Sequence, residues 1–463
     1  MLREETKHYL ADTMKIAVPI MIQNGISNFV NMLDNIMVGQ LGTDPMSAVA
    51  IVNQLIFVFN LTIFGGLSGI CIFTAQYHGR EDEDGVRHTF RLMIIASLLV
   101  SLIGFAVLSV FRDPLIGKYL TDDGGAGNAA ETLLYAQKYI GVMYLVLVPF
   151  ALTQAYASVL RTTGDTVSPM RAGVLAMLVN LVGNYILIYG KIGFPAMGVA
   201  GAALATVLAR FVELGYLVLL AHTQPERYPF IQNAWNSLYV PGKLVRECVK
   251  KGSPLLLNEF MWSLGSATMV QLYSTLGLSV VAAFNISSTI SNVFNVVFIS
   301  MGSVAGIRIG MEIGAGKTDR VMNHALMLTR MSMVLCAGIG AVLFMTAPLF
   351  PRFYNTSEEI RSLACDLIRI AAVFMPVYAC CNCEYFILRS GGKTLITFLF
   401  DSVFSWTVVI PLLWVLLHFV PMPVRMLYAC VQSADLIKLV CGMILVKKGV
   451  WINDIIQGIS TGG

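Results

Sequence analysis

The chain has 463 residues, of which 56% are hydrophobic and only 13% are charged, and its formal net charge is +4. Soluble proteins carry roughly 25% charged residues, so this composition excludes an ordinary soluble domain and indicates an integral membrane protein. The basic residues are spread over short loops, which argues against nucleic-acid binding. Strict alternation of polar and apolar residues is missing, so a β-barrel is disfavoured.

Apolar runs long enough to cross about 30 Å of hydrocarbon at about 1.5 Å per residue predict twelve transmembrane helices. In chain order they cover residues 13–38, 46–73, 89–111, 131–160, 166–190, 196–222, 248–276, 279–305, 319–347, 358–388, 394–418 and 422–447. The start of the chain lacks the pattern of a cleavable signal peptide, so we expect the first span to remain in the mature protein.

The longest polar connection lies near the middle of the chain and separates two sets of six spans. It predicts an N-terminal lobe (1–222), a linker (223–247), a C-terminal lobe (248–447) and a tail (448–463). Lys and Arg are concentrated in alternate connections, and such loops face the cytoplasm. We therefore expect a multi-pass protein of the cell membrane with both termini and the linker in the cytoplasm.

The two halves of the chain repeat each other. Pro19 and Gly42 correspond to Pro254 and Gly277 at a constant offset of 235 positions. Arg, Gly and Thr also recur at the same spacing in residues 160–166 and 388–394. Six spans per repeat give both halves the same orientation, and transporters built in this way bind substrate between the halves.

The first span contains a carboxylate, Asp34, and no other charged side chain separates it from Lys15. Charges inside the membrane are rare and usually functional. Polar amides share this helix at helical spacing, which indicates a face turned towards protein or water: Asn24, Asn28, Asn31 and Asn35. A second amide pair, Asn180 and Asn184, lies at i and i+4 on the fifth span, and Gln154 lies on the fourth.

Three stretches resemble the multidrug and toxic compound extrusion (MATE) transporters of the NorM-like or DinF-like bacterial type. They are residues 33–39, the turn 160–166, and residues 180–187 followed by Gly190. The resemblance covers nearly the whole chain. It implies an all-α membrane protein with two pseudo-symmetric six-helix bundles that alternate between inward-facing and outward-facing states. A drug or organic cation leaves as H⁺ or Na⁺ enters.

The resemblance also assigns roles to individual residues. Asn180 and Asn184 match the family's asparagine pair, which shares the N-terminal cavity with the acidic residue of the first helix. Asp34, Asn180, Asn184 and Gln154 are therefore our candidates for cation coupling. Pro19 resembles the proline at which the family's first helix bends, and proline in a membrane helix makes a bend less costly.

The second half matches the family less well. Glu259 resembles the acidic residue of the seventh helix but falls about one turn early, and the tenth-helix acid has no clear counterpart. Glu384 precedes Arg389 by five positions, which suggests that the two pair. Coupling through the first half, to protons, is therefore favoured. The candidates for the substrate cavity are Asn31, Tyr139, Tyr156, Asn258 and Glu259.

Three further charged residues lie inside predicted spans of the second half. Asp435 and Lys438 are three positions apart, so we interpret them as an intrahelical ion pair. Asp401 has no partner nearby in the sequence, and we interpret it as structural.

These observations predict a secondary active exporter that needs no cofactor other than its coupling ion. Its expected partners are small-molecule drugs or organic cations and membrane lipids, and the monomer is expected to suffice. No HExxH, nucleophile elbow or P-loop occurs, so an enzyme is not expected. The alternatives are a channel and a lipid-linked oligosaccharide flippase of the same wider superfamily. A flippase would need a basic cavity, whereas Arg369 is the only obvious deep arginine.

Overall fold

The computed structural model describes residues 2–117, 129–354, 356–457 and 459, apart from the side chains of residues 2–6, 31, 32, 35, 43 and 278. Within these ranges the regular structure is helical and no strand occurs. The helices are α1 (Leu2–Gly39), α2 (Thr43–Gly79), α3 (Glu83–Val110), α4 (Arg112–Gly117), α5 (Ala129–Thr162), α6 (Val167–Tyr189), α7 (Val199–Thr223), α8 (Gly242–Ser274), α9 (Leu278–Gly314), α10 (Thr318–Thr346), α11 (Glu358–Ser390), α12 (Thr394–Phe398), α13 (Ile410–Phe419), α14 (Val424–Ser433) and α15 (Asp435–Lys447).

The predicted all-α membrane fold is confirmed. In the described part of the chain, ten helical stretches are long and apolar enough to cross a membrane. Two π-helical segments, Leu399–Val403 and Ser405–Val409, join α12 to α13 into one of these spans. The remaining two of the twelve are α1 and α8, which are long but less apolar because they carry several charged and amide side chains.

The helix boundaries reproduce the repeat. The starts of α2 and α9, at Thr43 and Leu278, are 235 positions apart, as are the starts of α3 and α10 at Glu83 and Thr318. Pro19 and Pro254 lie inside the corresponding helices α1 and α8. The duplication inferred from the sequence is therefore a duplication of structural elements.

Packing divides the chain into two compact units. The first unit consists of Val18–Thr74 and Glu83–Val245. The second consists of Met1–Ala17, Ala75–Asp82 and Arg246–Gly463. As a result, α1 passes from one unit to the other beside Pro19, and α2 does so between Thr74 and Ala75.

Small residues allow the helices within each unit to approach closely, as is usual between membrane helices. In the first unit, a Cβ atom added at Gly201 of α7 would collide with the backbone of α6 at Leu187. In the second unit, a Cβ atom at Gly340 of α10 would collide with the carbonyl group of Ala372 in α11. These close contacts set the positions of α6 and α7 in the first unit and of α10 and α11 in the second.

The polar connection between the two sets of spans is ordered against α3. The buried guanidinium of Arg91 donates hydrogen bonds to the carbonyl oxygens of Asn233, Ala234 and Tyr239, at 2.7–3.2 Å. Three donors of one arginine thus satisfy backbone acceptors that a loop would otherwise expose to water.

Candidate functional site

A chain of hydrogen bonds connects α1, α6 and α7 inside the first unit. The amide nitrogen of Asn184 donates to Asp34 Oδ1 at 2.6 Å and to Asn180 Oδ1 at 3.2 Å. Asn180 Nδ2 in turn donates to Thr206 Oγ1 at 3.3 Å. The i and i+4 spacing on α6 places both asparagines on one face, and this face meets the carboxylate of α1.

The network is buried but leaves one acceptor unused. Asn180 and Asn184 are 4% and 1% exposed, and Asp34 is half-buried. Because Asn184 uses both N–H groups as donors, its Oδ1 remains, and within the described residues this buried oxygen has no hydrogen-bond partner. A carbonyl oxygen beside a carboxylate can bind a cation or accept a hydrogen bond from a proton donor.

A positively charged side chain lies near this network. Arg210 of α7, one turn beyond Thr206, interacts electrostatically with Asp34. Its guanidinium is 2.7 Å from Glu213 Oε2 and lies over the ring of Phe150, 5.3 Å from the centroid. The first unit therefore combines two carboxylates and one guanidinium inside apolar helices, where such groups are costly to bury.

The other first-unit candidates occupy different environments. Tyr139, which is 4% exposed, donates to Asn53 Oδ1 at 3.2 Å and interacts electrostatically with Asp34. Gln154 is half-buried. Tyr156 instead packs edge-to-face on Phe90, with ring centroids 5.0 Å apart, in an aromatic cluster near the linker. The side chain of Asn31 lies outside the described residues.

A second buried polar group lies in the second unit. Asn258, 2% exposed, donates to Asp401 Oδ2 at 3.1 Å and accepts at Oδ1 from Ser402 Oγ at 2.7 Å. Lys438 Nζ lies 2.5 Å from Asp401 Oδ1 and above the ring of Phe400. This group joins α8, the π-helical segment Leu399–Val403 and α15.

The ion pairs of the second half differ from those suggested by the sequence. Lys438 pairs with Asp401 and not with Asp435, so Asp401 does have a partner, 37 residues away. Glu384 is fully buried and accepts from Cys380 Sγ at 3.3 Å. Arg389 lies over the ring of Phe386 instead of pairing with Glu384. Packing between helices brings Asp401 and Lys438 together, whereas Glu384 and Arg389 each contact a different neighbour on α11 itself.

Glu259 lies next to Asn258 but faces a different environment. Its side chain is half-buried and interacts electrostatically with Arg389 and Asp401. Among the described residues it forms no ion pair within 4 Å. A carboxylate of this kind is available to a cationic ligand.

Two residues of the first site were missed in the sequence. Thr206 and Arg210 lie within the predicted sixth span, and Arg210 is a charge inside an apolar run, the same signal that identified Asp34. Thr206 gave no comparable signal, because threonine is common in membrane helices.

The amino-acid sequence is similar to a known protein family and to named bacterial proteins. The MatE family model matches residues 19–186 and 254–415, once in each half of the chain. A protein of Thermotoga maritima named "Probable multidrug resistance protein NorM" is 23% identical over 420 residues, which are 90% of this chain and 88% of that protein. A protein of Bradyrhizobium diazoefficiens with the same name is 25% identical over 426 residues, covering 89% and 88%.

The fold is also found in solved structures. A crystal structure of a mutant of the Vibrio cholerae MATE transporter VcmN has a TM-score of 0.86 at 17% identity and covers 96% of this chain and 98% of that chain. A MATE transporter in the bent conformation gives a TM-score of 0.83 at 18% identity, covering 94% and 95%. At this identity the likeness concerns the fold alone.

Proposed function

Because the chain belongs to the MATE family as a NorM-like transporter, we propose that it is a secondary active exporter of small drugs or organic cations. Relatives that match most of the chain are named as multidrug resistance proteins, which supports this class of substrate. The proposed driving force is inward movement of H⁺, with Na⁺ as the alternative ion, and the proposed location is the cell membrane.

The observation that carries the proposal is the carboxylate of Asp34, half-buried and hydrogen-bonded to Asn184. A carboxylate in this position can bind a proton from one side of the membrane and release it to the other. Asn184 suits both states, because an amide has a donor end for the charged carboxylate and an acceptor end for its protonated form. Rotation of this amide would connect protonation of Asp34 to the bond with Asn180.

A transport cycle can be built on the exchange of ion and substrate between the two states. In the outward-facing state Asp34 takes up the ion and substrate is released; after return to the inward-facing state the ion leaves and the next substrate binds. Binding of ion and substrate to different conformations gives coupling, since each ligand shifts the equilibrium only by its differential affinity for the two states.

The test uses purified protein in vesicles with a pH gradient or a Na⁺ gradient imposed separately. We expect a pH gradient to drive organic-cation transport, and Asp34→Asn to abolish drug-driven proton release while the protein remains folded. The matched control is Asp113→Asn, which changes an exposed carboxylate beside Arg112. Unchanged proton release in a folded Asp34→Asn protein would contradict the proposal, and a response to the Na⁺ gradient alone would replace the proton by sodium.

A further inference from the structure

The last turn of α2 is held by the C-terminal end of the chain. Gln76, which is fully buried, donates from Nε2 to the carbonyl oxygens of Ser390 and Asn453, both at 3.1 Å. Its Oε1 accepts a hydrogen bond from the amide of Ile455 at 3.0 Å. Each of these partners belongs to the second unit, as Gln76 itself does.

Two further contacts hold the same turn. Arg80, one turn beyond Gln76, forms an ion pair with Asp454, and the two side chains are 31% and 26% exposed. The backbones of α2 and α9 also touch directly, because a Cβ atom at Gly79 would collide with Met311 and one at Gly314 would collide with Gln76. The end of α2 is therefore fixed by polar, ionic and van der Waals contacts.

The C-terminal segment is itself anchored, so it can hold α2 in place. We name residues 449–456 the C-terminal strap. Trp451 is fully buried and donates from Nε1 to the carbonyl oxygen of Val446 at 2.8 Å. Its own carbonyl lies where any side chain at position 391 would be, so Gly391 is required there. Ile456 is also fully buried.

α2 begins in one compact unit and ends in the other. Residues up to Thr74 pack in the first unit, and Ala75–Asp82 pack in the second. The helix is continuous across this point. A change in the relation between the units would therefore have to bend α2 near Thr74 or separate one end of the helix from the unit in which it packs, and its last turn is the shorter end. Thr74 Oγ1 donates to the carbonyl oxygen of Ile70 at 3.1 Å, a contact that often bends helices.

We propose that the C-terminal strap stabilises one conformation of the transporter by holding Gln76 and Arg80, and that the strap releases α2 once in each transport cycle. The proposal rests on the proposed function for its role in transport, but the contact itself is testable without any substrate. It assigns a function to the tail, and it predicts that Gln76, Arg80 and Asp454 control transport although they touch neither candidate site.

The first test fixes the strap covalently. Arg80→Cys/Asp454→Cys is oxidised to a disulfide, the cross-link is identified by peptide mass, and transport is measured before and after reduction. If release is required, the oxidised protein transports at least about ten-fold more slowly, because one state is locked, and reduction restores the rate. The two single cysteine variants and the oxidised wild-type protein control for the native thiols. Full transport by the cross-linked protein would overturn the proposal.

The second test needs no transport. Amide hydrogen exchange is measured on the peptides that cover residues 75–82 and 451–456 in Gln76→Leu, which keeps the volume but removes three hydrogen bonds. We expect exchange in both peptides to accelerate about ten-fold, whereas Gln232→Leu, in the exposed linker, leaves both unchanged. Unaltered exchange in residues 451–456 would contradict the proposal that Gln76 and the C-terminal strap hold each other in place.

The two tests separate this proposal from the proposed function. If the wild-type protein transports no drug under any gradient but exchange accelerates in Gln76→Leu, the proposed function and the strap's role in transport are contradicted. The contact between the strap and α2 is then still supported. If the wild-type protein transports drug and the cross-linked protein is fully active, the strap proposal is contradicted and the proposed export function is supported.

Discussion

Asn184 is the residue on which the polar contacts of the first unit converge. It donates to both Asp34 and Asn180, and Asn180 donates to Thr206. Thr206 Oγ1 donates its own proton to the carbonyl oxygen of Ala202 at 3.0 Å. Its lone pair is therefore directed to Asn180, and the hydroxyl orients the whole chain of amides that ends at Asp34.

Replacing Thr206 by valine should weaken coupling without removing the carboxylate. The valine keeps the shape but leaves Asn180 without its acceptor, which costs about 1 kcal/mol and corresponds to about a five-fold lower rate of proton-driven transport. Initial rates in vesicles check this. Thr223→Val is the matched control, because Thr223 makes the same bond to the carbonyl four residues earlier but lies exposed at the end of α7. Equal rates for both variants would exclude a positioning role for Thr206.

Glu259 is a half-buried carboxyl group that interacts with one cationic neighbour, Arg389, and one anionic neighbour, Asp401. For Glu259→Gln we expect the KM of organic cations to rise about ten-fold, which is about 1.4 kcal/mol of lost attraction. Uncharged substrates should keep their KM, because they gain nothing from the charge. Glu358→Gln, in the exposed first turn of α11, serves as the control. An equal effect on charged and uncharged substrates would show that Glu259 acts on the structure and not on substrate charge.

At the scale of elements, the span from Thr394 to Phe419 departs from regular α-helix. Two π-helical segments interrupt it, and Asp401 lies in the first of them. π-helical turns occur frequently at functional sites. Here the segment presents Asp401 to Asn258 of α8 and to Lys438 of α15. Asp401 is 20% exposed and Lys438 13%, so this ion pair joins two charges that are largely shielded from solvent.

Removing one charge of this pair should therefore cost more stability than removing both. Lys438→Met or Asp401→Asn alone leaves a shielded charge without its partner, at about 3–5 kcal/mol. The double variant should be closer to wild type. Thermal unfolding in detergent measures the coupling as a double-mutant cycle. The same cycle on the exposed pair Glu358 and Arg361 should give almost no coupling. Additive losses at Asp401 and Lys438 would show that the pair contributes no mutual stabilisation.

At the scale of the whole molecule, the two compact units do not coincide with the two halves of the sequence. The first 17 residues and the end of α2 pack with the second half. Tyr9 stacks on His324, with ring centroids 4.0 Å apart, and the guanidinium of Arg308 lies 4.4 Å from the Tyr9 centroid. The boundary between the units therefore falls inside a continuous helix three times, in α1 beside Pro19, in α2 beside Thr74 and in the first turn of α8 after Val245.

Pro19 should accordingly matter for transport more than its counterpart in the repeat. Pro19→Ala restores a backbone donor and stiffens α1 where it passes between the units, so we expect transport to slow about ten-fold, or about 1.4 kcal/mol. Pro254 occupies the corresponding position of α8, but the helix around it lies within one unit, so Pro254→Ala should change transport little. Initial rates at equal amounts of folded protein check this. If both variants slow transport equally, Pro19 does not act as a specific hinge.

The class of protein, the all-α fold with twelve spans and the internal repeat could all be predicted from the amino-acid sequence. It also identified Asp34, Asn180 and Asn184 as candidates. The physical reason is that the bilayer requires apolar helices of a fixed length, and a charge or amide inside such a helix is conspicuous. The bond between Asn184 and Asp34 joins residues 150 positions apart, and the sequence indicated their proximity only through family resemblance.

Which polar groups meet could be seen only in the folded chain. It paired Lys438 with Asp401 instead of Asp435, placed Tyr156 in an aromatic cluster, and brought Gln76 to a tail almost 380 residues further along the chain. Helical periodicity specifies the face on which a side chain lies, but not which helix packs on that face. That choice depends on the packing of small residues such as Gly201, Gly340 and Gly391, and on the pairing of groups that cannot be buried alone.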